Sequence, residues 1–384
     1  MAVVFQTDIS QTANIMAFNN NVIRFTSDTS GVLPLKADVA IGSQVETIYP
    51  SPSGGFYFNF LEYFSALVVT NGWRDTVSPS IDSTDSSYTY TGESLYQVEL
   101  SISILLDNDT SESAERTIYL LAGVEQLRTY KRNERIAEGP AILLPLTTST
   151  NNKHFARYWE GYPFDLSFTE PQYDGVSLGV IPLTNTTNGL SYSFRLKAKH
   201  TRLFFCDGQT DAIIDDKLPL AEGVNLISWE ASNSEVYYLQ LDKSSDCKQG
   251  PYFKFMNRYG GWSYWKFPPY EATALTLRNI GEIDTNGDNL ADTFAPTTQI
   301  GLTASERLQV ASGLLNDDEF NLLRDILTSP KIYLFTGAPF ARASTSDWVE
   351  VRLATTRQTT KSSKNRPNEI NLEVELPDYY TQTL

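Results

Sequence analysis

The residues of this chain best suited to chemistry fall in three places. The first is Asp284-Thr-Asn286-Gly-Asp288-Asn-Leu290-Ala-Asp292. Oxygen donors in Asp284, Asn286, Asp288 and Asp292, with the backbone carbonyl of Leu290 between the last two, follow the ligand spacing of a Ca²⁺ loop. Two departures count against that reading. Asn289 stands where the sharp-turn glycine belongs, and Ala295 replaces the bidentate glutamate. A polar hairpin tip rich in Asn, Asp and Gly has the same composition, so a structural Ca²⁺ site and a plain turn are both open.

The second place is Gly250–Phe267, far richer in aromatic residues than the rest of the chain. Tyr252–Met256 and Trp262–Phe267 are β-prone runs, and Arg258-Tyr259-Gly260-Gly261 supplies a turn. Strand side chains alternate, so Phe253, Phe255, Trp265 and Phe267 share one face and Tyr252, Lys254, Trp262, Tyr264 and Lys266 the other. The first face suits a core. The second suits a subunit seam, a sugar-stacking platform or the next layer of the fold, and the seam is preferred because Tyr and Trp are enriched at interfaces. The third place is the polar loop Thr355–Asn368, where Lys361, Lys364 and Arg366 form a basic group on an acidic protein. It reads either as a plain surface loop or as an assembly loop reaching an acidic neighbour, such as another copy of the chain.

Other chemistry is poorly supplied. His154 and His200 are the two histidines, in different contexts, which makes an imidazole-based triad or a multi-histidine zinc site hard to build. No Gly-x-Ser-x-Gly, P-loop or Gly-x-Gly-x-x-Gly occurs. Cys206 and Cys247 are too few for a disulfide framework; they meet if their strands pair, and two separate thiols is the preferred reading. The net charge of −16 argues against direct nucleic-acid binding, since neutralising phosphates needs a basic surface. No stretch approaches the ~20 apolar residues of a membrane span, and the N-terminus lacks the marks of a signal peptide.

The elements that must position these residues are mainly strands. Two β-sandwich-like domains followed by a smaller α+β C-terminal region are expected. The first covers 1–130, with strands at Val22–Phe25, Leu35–Ile41 and Phe56–Phe60. Within it Val98, Leu100, Ile102 and Ile104 alternate with polar residues, and Thr117–Ala122 is the expected partner strand. Leu61–Val69 fits a helix or a strand equally. A linker is expected over 131–153, then a second β domain over 154–275 that ends in the aromatic hairpin. The C-terminal region, 276–384, carries the clearest helix signal. Asn316-Asp-Asp-Glu319 has the form of a capping box, and Phe320, Leu323 and Leu327 follow at helical spacing. Ser305–Leu314 is read as a preceding helix, and Lys331–Phe335, Trp348–Leu353 and Ile370–Leu376 as strands.

Several segments together resemble a structural virion protein of tailed bacteriophages that infect Bacteroidota. They are Val45–Phe60, Pro163–Phe168, Pro251–Phe267, Ser329–Leu334, Trp348–Val351 and Glu375–Thr383. The resemblance implies β-rich domains, symmetric oligomers, other virion proteins as partners and no enzymatic activity. It points to a tail, baseplate or host-facing spike component, made in the host cytoplasm and carried in the virion. The alternative is a glycan-binding adhesin or receptor-binding module, in which Tyr252, Trp262 and Tyr264 stack on sugar.

Overall fold

A computed structural model describes every residue except 1, 12–13, 69–71, 78–88, 126–140, 148–151, 171–178, 209–216, 231–233, 246–249, 286, 288–294, 339–346, 358–367, 378 and 383–384. The molecule is mainly β, with several sheets and a small helical region near its C-terminus.

The N-terminal part runs β1 (Val3–Thr7), β2 (Asn14–Met16), β3 (Val22–Ser27), β4 (Pro34–Ile41), β5 (Gln44–Ile48), β6 (Phe56–Asn59), α1 (Leu61–Val68), β7 (Thr89–Thr91), β8 (Leu95–Leu106) and β9 (Ser111–Leu121). Strands β1-β3-β6 form one sheet and β2-β9-β8-β4-β5 a second. The two enclose a common core that includes Ile23, Phe25, Val39, Ile102 and Ile118. The alternation in β8 is realised: Val98, Leu100, Ile102 and Ile104 are buried while Glu99, Ser101 and Ser103 are exposed. Leu61–Val68 is a helix, because burial of Phe64 and Val68, four residues apart, places one apolar stripe on that core.

The middle of the chain supplies β10 (Ala141–Ile142), β11 (Lys153–Trp159), β12 (Phe164–Thr169), β13 (Val180–Asn185), β14 (Leu190–Arg195), β15 (His200–Cys206), β16 (Gly223–Glu230) and β17 (Val236–Ser244). One sheet is ordered β11-β17-β16-β13-β14, the other β10-β12-β15-β7. Two expectations need correction. Strand β7, from the N-terminal part, pairs with β15, so the first 130 residues are not closed on themselves. The described end of the expected linker is core: Ile142, Leu143, Leu144 and Leu146 are buried, as their apolar run demands.

The C-terminal third contributes β18 (Tyr252–Met256), β19 (Trp262–Lys266), β20 (Glu271–Asp284), β21 (Thr297–Ala311), α2 (Asp317–Leu323), a 3₁₀ turn (Arg324–Thr328), β22 (Ile332–Phe335), β23 (Trp348–Leu353) and β24 (Asn371–Glu375). Its sheet is ordered β19-β18-β22-β23-β24-β21-β20, so the expected boundary at residue 275 runs through a single sheet. The aromatic hairpin belongs with the C-terminal strands, and one core joins this sheet to both middle sheets. Residues 305–311 are strand, not helix. There Leu308 and Val310 alternate with exposed Gln309, and the backbone pairs with both β20 and β24. The capping box forms as its residues predict. Asn316 Oδ1 accepts from the Asp318 and Glu319 N–H groups, and the Glu319 carboxylate accepts from Asn316 N at 2.9 Å.

Candidate functional site

The hairpin β18–β19 forms in the expected register, with Tyr252 opposite Lys266, Lys254 opposite Tyr264 and Met256 opposite Trp262. What differs is its surroundings. All ten residues of the two strands are buried. Tyr252 and Tyr264 are 1% and 3% exposed, Trp262 6%, Lys254 4% and Lys266 8%. The face assigned to a seam or a sugar is therefore covered by the chain itself, the third of the three readings. Its turn is buried too. Asn257 Oδ1 accepts from Tyr259 N and Gly261 N, while its amide donates to Leu143 O at 2.8 Å. At Gly260 φ is +80°, and a Cβ would lie 2.7 Å from Ala122 O. Only glycine fits that approach. Arg258 then reaches Asp325 on the 3₁₀ turn at 2.7 Å.

Covering this face is a cluster of four charges drawn from distant parts of the chain. Asp75 lies on the segment after α1, Asp165 on β12, Arg202 on β15 and Lys254 on β18. Arg202 bridges the carboxylates, holding Asp165 in a fork through Nε (2.9 Å) and Nη2 (2.7 Å) and Asp75 through Nη1 (2.7 Å). Lys254 Nζ takes the second oxygen of Asp75 at 2.8 Å. Tyr264 donates its hydroxyl to Asp165, and Asp75 N donates to Tyr333 Oη at 3.2 Å. The Lys254 ammonium lies 4.4 Å from the Trp348 ring centroid and 5.2 Å from that of Trp262. None of the four charged side chains is more than 5% exposed.

Electrostatics follow from that burial. Desolvation pushes the Asp75 carboxyl up, but Arg202 and Lys254 outweigh it and hold the group well below the usual carboxylate range. For Lys254 burial wins and the pKa falls, although Asp75 opposes the shift. Burial raises Tyr264, and the Asp165 charge beside it raises it further, so the phenol stays a proton donor. Two negative and two positive groups balance inside the chain. The cluster thus ties the N-terminal segment to the middle and C-terminal sheets, and its charges are matched without any external ligand.

The histidines are buried separately. His154 donates from Nδ1 to Leu144 O at 2.9 Å and stacks on Trp229. Desolvation lowers its pKa to about 4. His200 Nδ1 accepts from Ser94 N at 2.9 Å, and burial, then the nearby Arg202 charge, lowers it to about 3. Cys206 is buried on β15, its Sγ accepting from Gly208 N; Cys247 lies outside the described residues. Of the Ca²⁺ loop, Asp284 ends β20, while Asn286, Asp288, Leu290 and Asp292 lie outside the described residues. Its flanks pair as an antiparallel hairpin, Asp284 opposite Thr297. Among the described residues no group of three or more His, Cys, Asp or Glu side chains is placed to hold a metal. Lys361, Lys364 and Arg366 also lie outside the described residues.

Sequence reading missed the partners of the aromatic face. Asp75 and Arg202 had no local signal, because only the fold brings them to Lys254. It offered Asp284–Asp292 as a hairpin tip but missed the extent of β20–β21, the longest ribbon among the described residues. Thirteen of the fourteen residues of β20 are exposed, including Leu275, Leu277, Ile280 and Ile283 at 48%, 54%, 51% and 51%. The Thr/Leu/Ile-rich runs either side of the Asn/Asp/Gly turn were the available clue.

No family model matches the chain, and no curated protein matches it. Solved structures are similar only at low scores. Fibronectin(III)-like modules of Clostridium thermocellum CbhA align at 10% identity over 63% of this chain and 94% of that one, TM-score 0.21. A 1.5-MDa bacterial ice-binding adhesin aligns at 12% identity over 81% and 93%, TM-score 0.19. The Bacteroides ovatus mixed-linkage glucan utilization locus protein SGBP-B, in complex with a heptasaccharide, aligns at 8% identity over 72% and 63%, TM-score 0.17. Scores this low carry no weight for function.

Proposed function

We propose that this protein is a non-enzymatic structural component of a bacteriophage particle, of the tail, baseplate or host-facing spike kind, that holds neighbouring subunits in a symmetric assembly. One observation carries this reading. The β20–β21 ribbon has both faces of β20 in solvent and four large aliphatic side chains about half exposed. A two-stranded ribbon is marginal on its own, and a long apolar edge invites pairing. Covering those four side chains would contribute about 1 kcal/mol each. The resemblance of segments along the chain to phage virion proteins supports the same reading, as does the internal use of the aromatic face, which leaves the ribbon as the larger apolar surface. Multi-angle light scattering with negative-stain microscopy tests it, and rings, trimers or larger symmetric particles are expected. A protein that stays monomeric at every concentration and is retained on host-surface glycans would overturn it in favour of an adhesin.

A further inference from the structure

We infer that the ribbon's neighbour is a second copy of this chain, joined antiparallel along β20 about a two-fold axis at Ile280. This rests on the assembly reading above and names the partner at that surface. Strand β20 is the last of its sheet, and no strand among the described residues pairs with its outer edge. The inner edge is occupied along its length by β21, from Glu271 opposite Val310 to Asp284 opposite Thr297. Support from the rest of the chain reaches β21 rather than β20: β24 pairs with Arg307–Ala311, Leu376 N donates to Glu306 O, Tyr379 bridges to Ala304 and the Thr381 hydroxyl donates to Leu302 O. Among the described residues, the ribbon beyond Leu302 is paired only within its own two strands.

The sequence of β20 selects the register. A two-fold axis between antiparallel strands sets one residue opposite its own copy, so each register is defined by that residue. Two registers place Arg278 opposite an acid. Centring on Gly281 opposes Arg278 to Asp284 but sets Ile280 against Glu282. Centring on Ile280 opposes Arg278 to Glu282, twice over by symmetry. It also opposes Leu277 to Ile283 and Ile280 to itself, and sets no like charges face to face. The ribbon is irregular at the same point. Between Asn279 and Glu282 the β20–β21 register shifts, and Ile280 has no partner on β21. The exposed isoleucine therefore sits at the centre of the proposed seam, flanked by Asn279, whose amide donates to Glu282 at 2.8 Å. A bulge can also blunt an edge, which makes Ile280 the residue to test.

Charge exchange gives the decisive experiment on the full chain. Arg278→Glu and Glu282→Arg should each weaken self-association about tenfold in sedimentation equilibrium, since each sets two like-charged pairs across the seam. The double variant Arg278→Glu/Glu282→Arg should restore it, which a merely misfolded single variant cannot explain. In a Cys247→Ser background, Ile280→Cys should give a disulfide-linked dimer under mild oxidation. Val45→Cys, on the exposed strand β5, should not. Failure of the double exchange to rescue, or cross-linking no faster at Ile280 than at Val45, overturns the two-fold ribbon seam. If symmetric particles still form in that case, the assembly reading survives without it; a strictly monomeric chain removes both.

Discussion

The seven-stranded sheet ends in two hairpins that are opposites. At one edge β18–β19 is buried on both faces and packed with Phe, Tyr and Trp. At the other, β20–β21 reaches into solvent with its Leu and Ile side chains half exposed. They are neighbours in sequence, separated only by Phe267–Tyr270. The comparison separates two properties that a sequence confounds. Aromatic density marks where many elements converge, because large rings fill the wide gap between sheets. The surface proposed for a partner is instead a strand that the other described residues leave uncovered on its outer edge.

The sharpest way to break this contrast is to remove Asp75. Asp75→Ala leaves Arg202 and Lys254 buried without that counter-charge and should cost about 3–5 kcal/mol in urea unfolding. Phe253→Ala should cost about as much through the cavity it opens. Losses below about 1 kcal/mol at both sites would mean that the hairpin is not the core described here.

Acid offers a second lever. His154 and His200 are held neutral, at about 4 and about 3, against 6.5 in the unfolded chain. The unfolded state thus takes up protons below about pH 6.5 that the native state refuses. Stability should be level above that pH and fall as pH drops towards 4, by up to about 1.4 kcal/mol per pH unit for each histidine. Asp75, held below its ordinary value, adds a further loss only below its unfolded pKa near 3.8. A urea midpoint unchanged between pH 7 and about 4.5 would contradict the burial of both imidazoles.

A smaller effect is expected at the helix cap, where Asn316→Ala should cost about 1 kcal/mol. The smallest belongs to the ribbon. Leu277→Ser should move the stability of the isolated chain by no more than about 0.5 kcal/mol, while lowering its tendency to associate. If that variant unfolded as readily as Phe253→Ala, the two hairpins would not differ as proposed.

Much of the fold was legible because its signals are local. The alternation at Val98–Ile104, the capping box at Asn316–Glu319 and the faces of the aromatic hairpin are each set within a few residues, and each forms as read. What was not legible depends on distance in the chain. Lys254 looked like a charge offered to a partner because its carboxylate lies 179 residues earlier. Residues 305–311 resemble a helix in composition and become a strand because β20 pairs with 305–310 and β24, from 60 or more residues on, with 307–311. The buried run Ile142–Leu146 was masked by its polar flanks. The hairpin forms in the expected register but its second face is buried, since periodicity tells which side chains share a face and not what that face meets.

The distance between Asp75 and Lys254 also orders events during synthesis. At 5–20 residues per second, Lys254 is made roughly 10 to 35 s after Asp75. Apart from β7, the strands of the N-terminal sandwich lie within residues 3–121 and have their partners long before then. Asp75 and β7 do not, because Arg202, Lys254 and β15 have not yet been made. A growing chain therefore carries a finished sandwich with a loose strap, which closes only after the hairpin emerges. Arrested nascent chains ending shortly before and well after Lys266 should accordingly differ in trypsin cleavage at Arg74.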